Sequence, residues 1–307
     1  MPRSRSEKTP IKKRKIEAMA RRSTDKPARD ETTGHEWDGI SELNKPLPRW
    51  WLWTFYATIV WAIGYWLLMP AWPLVSTYSK GLLGYSQRET VAEQIAAGKA
   101  AKAGFREKIA ANDLATIAND PELLRFALAG GEAAFGDNCA PCHGRGAAGA
   151  VGYPNLRDDS WLWGDGTLDA IHKTILHGIR ADDPETRTNQ MPAFGHTGIL
   201  SEPQITDVAE YALSLSGKAD DKTAAERGAK IFADNCTPCH GADGKGNQTL
   251  GAPNLTDELW LYAGDKATVI EGIRNGRGGV MPTWAHRLDS ETIKELAVYV
   301  HSLGGGR

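Results

Sequence analysis

The chain has 307 residues, 41% of them hydrophobic and 24% charged, with a formal net charge of −2. That length leaves room for two or three compact units, and the composition excludes both a disordered tract and a protein wholly embedded in lipid. The near-neutral total hides unlike segments: residues 1–49 sum to +5 and residues 130–219 to −6, so the two regions suit different surroundings.

The basic start includes Lys12-Lys13-Arg14-Lys15 and Arg21-Arg22. A nucleic-acid patch is one reading; beside an apolar span, a topology signal or a contact with anionic lipid is the better one. From Trp50 to Ser79 no residue is charged, and Trp50 to Met69 is long enough to cross a hydrocarbon core of about 30 Å as a helix. Trp50, Trp51 and Trp53 at one end and Trp66 and Trp72 at the other suit the two membrane–water interfaces, and Pro70 and Pro73 make a stop. A cleaved signal peptide fits less well, because the apolar run is too long and no small-x-small cleavage site follows. The Lys/Arg excess before the span places the N-terminus in the cytoplasm and everything after Ser79 outside.

Ser86-Gln87-Arg88-Glu89 has the form of a capping box opening an Ala-, Glu- and Lys-rich stretch to about Ala111. Its thin apolar stripe predicts an exposed helix or spacer. Asp120-Pro121 then reads as an N-cap with proline at the first helical position, starting a short helix that ends at Gly130-Gly131.

Beyond this point the sequence repeats itself. Gly131-x-x-x-Phe135 answers to Gly228-x-x-x-Phe232, Pro154-Asn155-Leu156 to Pro253-Asn254-Leu255, and Trp161-Leu162-Trp163 to Trp260-Leu261-Tyr262. Gly178-Ile179-Arg180 is matched with Gly272-Ile273-Arg274, and Met191-Pro192-Ala193-Phe194 with Met281-Pro282-Thr283-Trp284. Each copy closes with an amphipathic helix, Ile205 to Leu215 and Ile293 to Leu303, carrying Tyr211 and Tyr299. Units this small need a bound group to complete their apolar mass.

All four cysteines fall in two copies of one motif, Cys139-Ala-Pro-Cys142-His143 and Cys236-Thr-Pro-Cys239-His240. Two thiols one helical turn apart add to the vinyl groups of a haem, and the following histidine then sits beneath the iron. Zinc would require further ligands at short spacing, and a thioredoxin-like pair would follow a βαβ pattern; neither is visible. Gly144, Gly146, Gly149 and Gly241, Gly244, Gly246 read as loop chemistry at a haem edge, since the Lys-Ser/Thr ending of a phosphate loop is missing. Trp161 and Trp260 pack either near the haem or its propionates or as ordinary core.

Only Met191 and Met281 lie beyond the apolar span, one in each Met-Pro-x-aromatic segment, and they are the expected sixth ligands. His/Met ligation saturates the iron and favours electron transfer over oxygen chemistry. His172, His177, His196, His286 and His301 compete, with His177 or His196 the alternatives to Met191.

The segment His35-Glu36-Trp37-Asp38-Gly39-Ile40, with Glu42-Leu43-Asn44 and Pro46-Leu47-Pro48-Arg49-Trp50-Trp51, resembles the signature preceding the anchor in the dihaem subunit (CcoP or FixP, subunit III) of cbb3-type cytochrome c oxidases. Trp72-Pro73-Leu74-Val75, Tyr78-Ser79-Lys80-Gly81 and the two Cys-x-x-Cys-His units with their Met-Pro segments continue the match, over roughly residues 34 to 303. The resemblance implies a mainly α chain with one N-terminal transmembrane helix, a helical linker and two tandem class I cytochrome c domains. Residues 1–49 would be a cytoplasmic basic segment, 50–79 the anchor, 80–129 the linker, and 130–217 and 223–307 the two domains. Cys139, Cys142, His143 and Met191 would then hold one haem c, and Cys236, Cys239, His240 and Met281 the other. Electrons would pass from a cytochrome c donor, by way of a monohaem cytochrome c subunit, to the haem b/copper catalytic subunit. Oxygen reduction and proton pumping would belong to that subunit, in a bacterial inner membrane with the haem domains periplasmic; no nucleic acid is involved. A dihaem peroxidase, the cytochrome subunit of a dehydrogenase or nitric oxide reductase, and a purely structural subunit are the competing readings.

Overall fold

The computed structural model describes residues 32–306, and the Lys/Arg-rich run before Thr32 lies outside them. The chain divides into two units at Ile95/Ala96, and each is taken by itself.

The first unit opens with an antiparallel hairpin, β1 (Thr32–Trp37) and β2 (Ile40–Leu43), in which Glu36 faces Ser41 and Trp37 faces Ile40. Its turn is Asp38-Gly39, both residues at positive φ (50° and 83°), the geometry a two-residue hairpin turn requires. The hairpin is absent from the sequence expectation, although an Asp-Gly pair is its recognised signal.

Helix α1 (Arg49–Leu68) follows, and none of its residues is buried. Its 20 residues rise about 30 Å at 1.5 Å each, the span of a hydrocarbon core. Side-chain hydroxyls within it are answered locally, Thr54 by the Trp50 carbonyl and Thr58 by that of Phe55. The chain then doubles back, and Leu82 and Leu83 donate to the carbonyls of Leu67 and Leu68. A helix of this length and surface fits a single-pass membrane anchor.

Helix α2 (Gln87–Ala111) starts where expected, with the Glu89 amide donating to the Ser86 hydroxyl. Its last turn is not a spacer. Ile109 is fully buried, Phe105 stacks on Phe126 at 5.0 Å, and helix α3 (Leu114–Asn119) adds Leu114 and Ile117 to the same core.

Helix α4 (Pro121–Asn138) is capped by Asp120, which accepts from the amides of Glu122 and Leu123. It runs through Gly130-Gly131 instead of ending there. A Cβ on Gly131 would lie 2.4 Å from the Glu295 carbonyl oxygen, so glycine is what lets α4 meet helix α11 (Ser290–Ser302) backbone to backbone. The second copy repeats the device: helix α7 (Glu202–Leu215) crosses α8 (Lys222–Asn235), where a Cβ on Gly228 would lie 2.1 Å from the Asp207 carbonyl. Phe135 packs on Tyr299 at one crossing and Phe232 on Tyr211 at the other.

The short helices α5 (Ala140–His143) and α9 (Thr237–His240) follow α4 and α8, and α6 (Leu168–His177) and α10 (Lys266–Asn275) complete the set. The architecture is mainly α, as expected. The packing does not respect the sequence boundary between residues 130–217 and 223–307. Phe135, Ile171 and Ile175 share one core with Leu296 and Val300, whereas Ile205 and Val208 share a second with Phe232 and Ile273.

Two contacts dock α2 onto α11. Lys294 donates to the carbonyls of Ile109, Ala110 and Asn112, closing the carbonyl end of α2 with a positive charge. Arg106 reaches Asp289, Glu291 and the buried Glu295. Burial pushes the Glu295 carboxyl up to about 7 against the opposing pull of Arg106. Lys294→Met should therefore cost about 2 kcal/mol and raise amide exchange over residues 105–112, measured by mass spectrometry.

Glu295 carries a second expectation. Its carboxyl holds a proton in the folded chain after the unfolded chain has released it, so stability falls as pH rises from about 4.5 to about 7. Glu295→Gln should remove about 2–3 kcal/mol of that decline. Denaturant titrations at pH 5 and pH 8 should show the variant gaining on the parent only at the higher pH.

Candidate functional site

The two Cys-x-x-Cys-His motifs sit on α5 and α9, each a single turn launched from a long helix. The amides of Cys142 and His143 donate to the Cys139 carbonyl, and those of Cys239 and His240 to the Cys236 carbonyl, at 2.9–3.1 Å. This turn brings both thiols and the histidine of a motif together. All four cysteines are free thiols. Burial, with the neighbouring thiol adding, pushes Cys139 and Cys236 up to about 11, the opposite of the acidic thiol a dithiol redox pair requires. Among the described residues no three His, Cys, Asp or Glu side chains converge as a metal site.

The Pro-Asn-Leu repeats acquire a role here that the sequence did not show. His143 Nδ1 lies 3.1 Å from the Pro154 carbonyl, and His240 Nδ1 lies 3.1 Å from that of Pro253. A carbonyl only accepts, so Nδ1 carries the proton and donates. Nε2 then has no hydrogen-bond partner among the described residues. A backbone carbonyl holding one ring nitrogen so that the other faces a metal is the usual support of a ligating histidine. Burial lowers the pKa of both imidazoles, partly offset by the carbonyl, so both are neutral at pH 7. Asn155 and Asn254 shape the loop by accepting from the amides two residues on.

A cavity of about 350 Å³ opens at the second motif. Cys236, Cys239 and His240 line it together with Phe232, Trp260 and Met191. Met191, expected beside the Cys139 motif, instead lines the cavity of the other copy. The reason lies in the backbone. Met191 and Arg277 exchange amide–carbonyl hydrogen bonds at 3.0 and 3.2 Å, and Phe194 donates to Ile273, so the first Met-Pro segment is held by the end of α10. Met281 and Ile179 exchange the matching pair at 3.0 and 2.9 Å, and Trp284 donates to Ile175 at the end of α6. Met281 and Trp284 accordingly pack in the core that holds Cys139 and Phe135.

The repeat alignment shifts for the same reason. Gly178 (φ 67°) ends α6 and Gly276 (φ 74°) ends α10. A Cβ on either would run into the Met-Pro backbone seated against it, at Met281 and Met191 respectively. Gly178 thus corresponds to Gly276, not to Gly272. Both sit just past a helix end, and that position marked them in the sequence.

His177 faces Asp183 at 3.0 Å and Glu185 at 3.7 Å, and His196 and His286 are exposed. His240 alone among the histidines lines the second cavity.

Between the two sites the loops interlock. A Cβ on Gly251 would strike the Trp163 ring, and Gly152 lies close under the Tyr262 ring. Arg187 lies over Trp163 at 5.6 Å and Arg277 over Tyr262 at 4.1 Å. Gly152 donates to Leu261, and Asn189 Nδ2 to Leu250. Trp161 Nε1 donates to the Gly305 carbonyl, whereas Trp260 Nε1, on a side chain lining the second cavity, is buried without a partner among the described residues. An apolar cavity with paired thiols, an oriented imidazole, a thioether and an unanswered donor fits a covalently attached haem.

Comparison with known proteins covers most of the chain. A family model described as the N-terminal domain of cytochrome oxidase-cbb3, FixP, matches residues 29–76. One described as cytochrome c oxidase, cbb3-type, subunit III, matches residues 126–211 and 223–300. The Cbb3-type cytochrome c oxidase subunit FixP of Azorhizobium caulinodans is 60% identical over 277 residues, covering 90% of this chain and 94% of that protein. The subunit CcoP of Cereibacter sphaeroides is 54% identical over 282 residues (92% and 97%), and that of Azospirillum brasilense 53% over 296 (94% and 100%). With both the anchor region and the repeated haem-motif region matched, the chain belongs to the FixP/CcoP family, subunit III of cbb3-type cytochrome c oxidases.

Proposed function

We propose that this chain is the dihaem electron-relay subunit of a cbb3-type oxidase, with its axial ligands supplied crosswise. Cys139 and Cys142 would hold one haem c by thioether bonds, with His143 and Met281 ligating its iron. Cys236 and Cys239 would hold the other, with His240 and Met191. The observation that carries this reading is the pair of histidines with Nδ1 fixed on a proline carbonyl, each in a site that also contains a methionine from the opposite sequence copy.

A haem c bound at each site supplies a one-electron iron couple. The protein's part is to hold that couple steady. The proline carbonyls fix the imidazole tautomer and orientation, the methionine loops are locked by backbone hydrogen bonds, and Phe135 and Phe232 keep water from the motif side. Little has to move when charge changes, which suits electron transfer.

Electrons enter from a cytochrome c donor and leave by way of a monohaem cytochrome c subunit to the haem b/copper catalytic subunit. Helix α1 holds the chain in the inner membrane, with its N-terminus in the cytoplasm and both sites in the periplasm. The Lys/Arg excess before α1 supports that orientation.

Acid–acetone extraction of the denatured chain should leave two haems per polypeptide. Replacing Cys236 and Cys239 by alanine should leave one; a chain retaining none would overturn the proposal.

The crosswise ligation has its own test. Cys142→Ala keeps one thioether bond and shifts the absorption of the first-site haem, labelling it. In that background Met191→Ala should open the unlabelled haem to carbon monoxide, and Met281→Ala the labelled one. The reverse pattern would restore the pairing within each sequence copy.

A further inference from the structure

Arg180 lies at the junction of the two sites and has no part in the ligand sets above. It follows Ile179, the residue bridged to Met281. Its side chain reaches in two directions: Nε donates to the Gly279 carbonyl at 2.7 Å, and Nη1 donates to the Asn189 carbonyl at 2.6 Å. Gly279 stands two residues before Met281, and Asn189 two residues before Met191. One guanidinium thus holds the approach to both methionine loops.

Three further features mark the residue as constrained. Its φ is +52°, a left-handed conformation costly for a side chain with a Cβ, and the surrounding bonds must hold it there. It forms no ion pair with any described carboxylate, although it lines the second cavity and burial lowers its pKa. Its backbone amide is also spent, donating to the Arg187 carbonyl at 2.7 Å. A partly desolvated charge met only by carbonyls is expensive to keep, and the planar fork of arginine sets the spacing of two acceptors as an ammonium does not.

We infer that Arg180 is a positioning residue shared by both haem sites, its guanidinium clamping the Met191 and Met281 loops in the register that presents both thioethers to iron. The inference rests on the crosswise ligation proposed above. It predicts that one substitution, outside either ligand set, loosens both axial methionines together.

The test uses the full-length chain in detergent with both haems attached. The ferric parent should show the red charge-transfer absorption of methionine-ligated haem, and the reduced parent should bind little carbon monoxide. A parent without that absorption would sink the ligation reading itself, independently of the clamp. Arg180→Ala, with haem content and helical circular dichroism unchanged, should weaken the absorption at both haems and raise carbon monoxide binding several-fold at each, the Cys142→Ala label telling them apart. An effect on one haem only, or on neither, would overturn the clamp. Arg180→Lys keeps the charge but not the fork, and should leave at least one loop loosened. Full retention of methionine ligation by that variant would show that charge alone suffices and would overturn the inference equally.

Discussion

The crossed backbone bridges, Met191 with Arg277 and Met281 with Ile179, are the constraint on which the rest of the haem-bearing region depends. Each consists of two amide–carbonyl bonds, and together they hand each methionine segment to the helix end of the opposite copy. Once that exchange is made, the closing helices must follow their methionines, so α11 packs on α4 and α7 on α8. The glycines at those crossings, Gly131 and Gly228, allow the close approach, and the positive-φ glycines at the ends of α6 and α10 leave room for the exchanged segments. Neither site is complete within one sequence copy.

Much of the site was legible because its chemistry is local. Thioether attachment dictates Cys-x-x-Cys-His within five residues, and one turn of helix suffices to present it. The Met-Pro-x-aromatic segments were legible by repetition, and α1 by its length and by the absence of charge after Arg49. Which methionine packs beside which motif was not legible, because both copies carry the same residues and the answer depends on where the chain crosses over. The proline carbonyls that orient His143 and His240 were hidden for a related reason: a backbone acceptor leaves no side-chain signature, although the Pro-Asn-Leu repeat pointed to the place. Gly130-Gly131 read as a helix stop because local propensity disfavours glycine in a helix, and tertiary contact overrode it. The last turn of α2 read as spacer because its apolar stripe is thin and the contacts that dock it on α11, through Arg106 and through Lys294 to its carbonyls, are polar.

The two sites are near copies without being equals. Trp161 spends its indole N–H on the Gly305 carbonyl near the end of the chain, while Trp260 keeps its own unspent beside the second cavity. Arg277 lies closer over Tyr262 than Arg187 does over Trp163. Differences of this kind, a donor answered or unanswered and a charge nearer or farther, are what distinguish the environments of the two otherwise matching sites.

The exchange also orders how the protein comes into being. The helices and methionine segment of the second site, from Met191 through α10, form one uninterrupted stretch of chain, with Trp163 and Arg180 reaching its cavity from earlier in the sequence, whereas the first site is built from the stretches on either side. A polypeptide emerging from its N-terminus therefore exposes the Cys139 motif early yet lacks that motif's closing helix until α11 has been made. The later motif is the first to find all its neighbours. The earlier one must wait, half-wrapped, while the inner unit folds inside it, and bringing its distant halves together carries the larger loop-closure cost.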